Sequence, residues 1–121
     1  MPRRMAAFRQ GDVIKLPFPY TDRSTRQSRP ALVVSAGAME DAHGLLWVVM
    51  ITSAENRRWS GDVSVNNLAA AGLPAASVIR TAKIATIEAS DAAKLGRIPA
   101  ALFRQDASQL EKTLGFDRSD G

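Results

Sequence analysis

An arginine followed by a proline at the entrance of an apolar run is the first place where this sequence could do chemistry. In Ser28-Arg29-Pro30-Ala31-Leu32-Val33-Val34-Ser35 the proline denies a helix and pushes Arg29 towards an extended conformation. The apolar run after it reads as a strand covered on both faces. A guanidinium at such an entrance is held by the fold. It can pair with a surface carboxylate or, being planar, always charged and bidentate, it can bind a phosphate. Thr52 and Ser53 end a second apolar run, Leu45-Leu46-Trp47-Val48-Val49-Met50-Ile51. These hydroxyls can close a turn on the local backbone, or donate to a phosphate beside Arg29 if the two strands are neighbours.

Two polar loops add charge and aromatic surface. Between Pro19 and Ser28 lie Tyr20, Arg23 and Arg26, and between Ala54 and Gly61 lie Arg57, Arg58 and Trp59. Arginines interleaved with an aromatic ring can hold phosphates and stack an unpaired base. The same residues also suit a solvated loop, in the first case, or a protein interface, in the second. Arg80 and Lys83 share a later strand. By the two-residue period Arg80, Ala82 and Ile84 face one way and Thr81, Lys83 and Ala85 the other, so only a bulge could turn Arg80 and Lys83 the same way. The single histidine, His43, has no carboxylate or serine at a telling spacing and reads as a surface loop residue.

The 121 residues allow one domain with one core. Sixteen Lys and Arg against twelve Asp and Glu give a net charge of +4, which suits a polyanion or an acidic protein segment. Cysteine is absent, which excludes disulfides and thiol chemistry and fits a reducing compartment. No cofactor or metal site is expected. The N-terminal Met1-Pro2-Arg3-Arg4 is not followed by the apolar stretch of a signal peptide, and no run has the length of a membrane span. A cytoplasmic protein is expected.

The elements that must position these residues are many short strands and one good helix. Residues 1–10 read as a flexible tail and 117–121 as a second one. Strands are expected at Val13–Phe18, Ala31–Ser35, Leu45–Ile51, Asp62–Val65, Ser77–Ile87 and Leu95–Ile98. A turn or short helical wind fills Ala36–Gly44, and a small helix at Leu68–Ala71 is capped by Asn66 and stopped by Gly72. Pro99 opens the closing helix, with Phe103, Ala107, Leu110 and Leu114 as its apolar stripe and Gly115 as its stop. The expected fold is mainly β, a compact and strongly curved antiparallel sheet with a C-terminal helix beside it.

The order of these signals resembles the MazF/PemK toxins of type II toxin-antitoxin systems. It consists of Gly11-Asp12 and a strand, the loop into Arg-Pro-Ala-Leu-Val-Val-Ser, Ile-Thr-Ser, Gly72-Leu73-Pro74, Val78-Ile79-Arg80, Leu95-Gly96-Arg97-Ile98 and the final helix. The resemblance spans residues 11–116 as one toxin domain. It implies an SH3-like small β-barrel, a homodimer, and a metal-independent endoribonuclease that cuts single-stranded RNA. It also implies a cognate antitoxin that lays an extended acidic segment over the RNA groove. Catalytic roles carry over to Arg29 and Thr52, and to Arg80 as in the PemK-like members. The carboxylate those members carry two residues later falls on Ala82, which leaves Arg80 expected to lack its ion-pair partner and to be free for phosphate. The arginine often found before the following Thr-Ile falls on Ala85, and the first long loop has no histidine.

Cleavage by the 2′-hydroxyl of RNA needs a base, an acid for the leaving oxygen, and positive charge where the phosphorane forms. Arg29 suits the last task and Thr52 can donate to a non-bridging oxygen. Tyr20, Arg23, Arg26, Ser53, Arg57, Arg58, Trp59 and Lys83 are the candidate RNA contacts. The base is open among Asp22, Glu55 and Glu88. Two other readings share the fold: a CcdB-like toxin that binds a protein target, and an RNA-binding relative with weakened cleavage.

Overall fold

The computed structural model describes residues 6–17 and 28–115. Its strands are β1 (Asp12–Pro17), β2 (Ser28–Val33), β3 (Leu45–Ser53), β4 (Val63–Ser64), β5 (Ser77–Glu88) and β6 (Ala93–Arg97). Its helices are α1 (Gly37–His43), α2 (Leu68–Ala71) and α3 (Ala100–Leu114). All strands join one curled antiparallel sheet in the order β4-β5-β3-β2-β1-β6. The mainly β class with a closing helix holds. Among the described residues the end strands β4 and β6 do not pair with each other, so the sheet is a half-barrel.

Alternation along the inner strands divides the core into two layers. Ile14, Leu16, Ala31, Val33, Leu46, Val48 and Met50 point to one side of the sheet, with Phe8 and Ala89 over them. Val13, Leu32, Val34, Val49 and Ile51 point to the other, under Leu102, Phe103 and Leu110 of α3 and Leu73 after α2. Burial on both faces is why residues 31–34 and 48–51 read as unbroken apolar runs rather than alternating ones, while Trp47, 45% exposed, extends the second run beyond its covered part.

Several details differ from the sequence reading. Of the tail expected over residues 1–10, residues 6–10 are tied to the fold. The Ala7 and Phe8 amides both donate to the buried Glu40 carboxylate at 3.0 Å, and Phe8 is buried. The cap of α2 is Asn67, whose side chain accepts from the Ala70 amide at 3.1 Å, so the helix starts at Leu68 as expected and its cap lies one residue beyond Asn66. The inward face of α3 centres on Leu102 and Asp106, while Leu114 is 52% exposed. The reason is a hydrogen bond: Thr81 of β5 donates to Asp106, which lets a carboxyl group occupy a position the apolar stripe would have assigned elsewhere.

The strand β5 carries a wide irregularity. Val49 stands opposite Ile84 and Met50 opposite Arg80, so Thr81, Ala82 and Lys83 bulge out across a single step of β3. Arg80 therefore shares the face of Met50, whereas Ile84 shares the face of Val49. The expected grouping of Arg80, Ala82 and Ile84 on one face is broken by this bulge.

Candidate active site

The pairing of β2 with β3 sets Ala31 opposite Met50, and continuing that register places Arg29 opposite Thr52. Both lie on the sheet face of Met50, one pair beyond the core. There the strands run out into an open pocket of about 340 Å³. Its floor is Ser28, Arg29, Pro30, Ile51, Thr52 and Ser53, with Asn56 on one rim. The far wall, Leu73–Ser77, is held by a hydrogen bond from the Ala54 amide to the Ala76 carbonyl at 2.9 Å. The wall is also fixed from behind. Gly72 has φ +73°, and a Cβ there would meet the Leu95 carbonyl oxygen at 2.2 Å; one on Gly96 would meet the Ala70 oxygen at 2.3 Å. Only glycines allow α2 to sit this close to β6.

Arg29 is half-buried, and its Nε, fully shielded from solvent, has no hydrogen-bond partner among the described residues. An unpaired buried donor on a cation is costly unless a ligand satisfies it. Thr52 is buried, and its Oγ1 accepts a 2.6 Å hydrogen bond from Asn56 Nδ2. With that lone pair occupied, the Thr52 hydroxyl proton is left to point elsewhere. Ser53 takes the local role: its Oγ accepts from the Glu55 amide at 3.2 Å and closes the turn.

Arg80 does not line this pocket, and it does not lack a partner. The guanidinium is buried and donates to both Asp62 carboxylate oxygens, from Nε at 3.3 Å and Nη2 at 3.0 Å, and to the Arg57 carbonyl at 2.7 Å. It also lies 4.2 Å from the centre of the Trp59 ring. The carboxylate missing at Ala82 is thus replaced, for ion pairing, by Asp62 at the end of the loop that enters β4. The register Val63 to Ile79, extended by one pair, sets Asp62 opposite Arg80, the position from which cross-strand ion pairs form. Burial pushes the Asp62 carboxyl up. The hydrogen bond from Arg80, the Trp59 amide and the charges of Arg80 and Arg58 outweigh it and hold the group below its usual value.

Arg57, Arg58 and Trp59 sit exposed on the 54–62 loop, Ser53 at its root, and Lys83 half-buried in the β5 bulge. Tyr20, Arg23, Arg26 and the candidate base Asp22 lie outside the described residues. Glu55 and Glu88 are exposed and neither lines the pocket. Among the described residues, no group of three or more His, Asp or Glu side chains is placed to hold a metal ion. No helix of the described chain is long and apolar enough to cross a membrane. Asn56 and Asp62 are the site residues that sequence reasoning missed. Asn56 lies four residues after Thr52 across a tight turn, and Asp62 becomes visible only once β4 is paired with β5.

The fold and sequence both have relatives. A Mycobacterial structure described as an endoribonuclease in complex with its cognate antitoxin superposes with a TM-score of 0.73 at 20% identity, covering 92% of this chain and 98% of that one. MazF from Deinococcus radiodurans gives 0.71 at 23% identity, covering 88% and 96%. The Mycobacterium tuberculosis toxin MazF-mt6 gives 0.69 at 20%, covering 88% and 98%. No curated protein sequence gives a significant match. The family described as the PemK-like, MazF-like toxin of type II toxin-antitoxin systems matches residues 9–114. With nearly the whole chain matched and the same fold in these toxins, the chain belongs to the PemK-like, MazF-like family of type II toxin-antitoxin toxins.

Proposed function

We propose that this toxin is an endoribonuclease that cuts single-stranded RNA at the Arg29 pocket, using the substrate's own 2′-hydroxyl as nucleophile. The observation that carries the reading is the unpaired Arg29 Nε beside a Thr52 hydroxyl whose proton is free to donate. A phosphodiester seated there would take Arg29 on its non-bridging oxygens and Thr52 as a second donor. Both interactions strengthen as the phosphorane gathers negative charge, so they lower the barrier rather than merely tighten binding. No carboxylate or imidazole lines the pocket among the described residues, so their contribution is charge stabilisation. Arg57 and Arg58, on the loop that borders the pocket, serve as phosphate anchors along the strand. The relatives solved with an antitoxin support a similar partner here, and an extended acidic segment complements the Arg29 pocket and its apolar wall. A cytoplasmic homodimer, with RNA crossing both protomers, completes the reading.

The test is cleavage of a long single-stranded RNA by the purified protein in EDTA. Fragments should end in a 2′,3′-cyclic phosphate and a 5′-hydroxyl. Arg29→Ala should lower the single-turnover rate about 10²–10³-fold, the loss seen for a missing oxyanion donor, with binding largely intact. Arg57→Ala or Arg58→Ala should weaken binding and reduce the salt slope by about one each. Fragments with 5′-phosphate ends, or an Arg29→Ala protein that cuts at the full rate, would overturn the reading.

A further inference from the structure

The Arg80 cluster lies outside the pocket, yet it is the most heavily bonded polar group near it. Its guanidinium grips both ends of the segment from Arg57 to Asp62 and lies over the ring between them, 4.2 Å from its centre. One face of Trp59 is therefore covered by a cation while the residue keeps 41% of its surface open to solvent. A large aromatic side chain fixed in this way and left open is a stacking surface rather than a core residue. Its position is tied to the pocket through the chain. Asn56 bonds Thr52, and Trp59 follows three residues later, within about 10 Å of extended chain.

We infer that Trp59 is a platform on which an unpaired nucleobase next to the scissile phosphate stacks, and that Arg80 is a positioning residue that holds it. This rests on the ribonuclease reading and extends it to a subsite. The chemistry favours a base. The exposed face is flat and apolar, the flanking side chains are the cations Arg57 and Arg58, and stacking on such a ring tolerates any base. Arg80 itself is set against a phosphate contact: it is buried, its charge is paired with Asp62, and three of its five N–H donors go to Asp62 and the Arg57 carbonyl. Its charge is spent within the protein.

The chain has two tryptophans, so Trp47→Phe leaves Trp59 as the sole reporter. The probe is a single-stranded RNA octamer with 2′-O-methyl riboses, which cannot be cut, compared with an octamer of the same backbone lacking its bases. The octamer should quench Trp59 fluorescence. Trp59→Ala should weaken its binding about 5- to 150-fold, the range for one lost stacked base, and leave the abasic probe nearly unaffected. Trp59→Phe should restore part of the loss. Arg80→Lys should weaken the octamer and not the abasic probe, with the salt slope unchanged, whereas a phosphate-contacting arginine would lower that slope by about one. Equal losses on both probes, a lowered slope for Arg80→Lys, or a Trp59→Ala protein that binds the octamer normally would overturn the platform. If Trp59→Ala spares RNA and weakens only an acidic protein segment, the ring serves a protein partner and the inference falls. Octamer binding that depends on Arg57 and Arg58 but not on Trp59 removes the platform alone. Absence of all RNA binding removes the ribonuclease reading with it.

Discussion

Replacing Asp62 by asparagine tests the Arg80 cluster as a piece of architecture, independently of RNA. The Arg80 and Asp62 side chains are only 8% and 1% exposed, so solvent cannot take over from a lost partner. Breaking a buried pair from one side costs about 3–5 kcal/mol, because the remaining charge stays buried without its counter-ion. Arg80 would retain the Arg57 carbonyl and the Trp59 ring, which puts the expected loss at the lower end, about 3 kcal/mol. For a chain of this length the unfolding entropy is about 0.25 kcal/mol/K, so the melting temperature should fall by about 12 °C. The pH dependence has a definite sign. The folded Asp62 carboxyl titrates below its usual value, so its stabilisation is full above the unfolded value of about 3.9 and is lost as pH falls through the lower folded value. Urea unfolding of both proteins across a pH series reads this directly. The gap should be constant near neutrality and close only under acid conditions. The double variant Arg80→Met/Asp62→Leu should recover much of the loss, since it leaves no buried charge. A single variant within about 0.5 kcal/mol of the parent at pH 7 would place it among ordinary surface changes. That result, or a gap that persists unchanged into acid, would refute the buried-pair account.

Two further perturbations probe what surrounds the site. Asp106 is fully buried on the inward face of α3, with only the Thr81 hydroxyl on Oδ1, and burial raises its carboxyl above the usual value despite that bond. Its contribution is therefore full below the unfolded value and is lost as pH rises through the folded one, so Asp106→Asn should gain on the parent with rising pH in the same unfolding assay. A gap that does not change with pH would mean that Asp106 ionises as easily in the fold as out of it. Gly96→Ala would put a methyl 2.3 Å from the Ala70 oxygen and force α2 away from β6. A loss of about 1–3 kcal/mol is expected, with altered amide exchange across Leu73–Ser77, and unchanged exchange there would show that the pocket wall does not depend on this contact.

What could be read from the sequence was what depends on neighbours in the chain. Pro30 after Arg29, the hydroxyls that follow Ile51, and glycines after Ala71 and Leu114 each act within a few residues, and each is where it was expected. The bulge in β5 could only be named as an option in the sequence, since it shows in the register of β3 against β5 rather than in the residues of β5. What stayed hidden depends on partners far apart in the chain. Arg80 finds Asp62 eighteen residues away, and Asp106 turns inward for Thr81, twenty-five residues away. Phe8 joins the core because Glu40 accepts the amides beside it. None of these follows from periodicity, since a buried polar residue breaks the apolar pattern that periodicity detects.

The pairing of β1 with β6 also bears on when the molecule can exist at all. Asp12 is buried at the start of the fold, and its partner Arg97 lies 85 residues later. The pocket wall leans on β6 through Gly72 and Gly96, and the second core layer waits for α3. A chain growing from its N-terminus therefore carries an uncompensated acid and an uncovered apolar sheet face until its last fifth is made. Such long-range closure is slow to form and leaves the partial chain prone to association. The pocket, lined by residues 28–77, therefore gains its backing wall only from residues made after it, and until β6 and α3 arrive it stands open on an unsupported sheet.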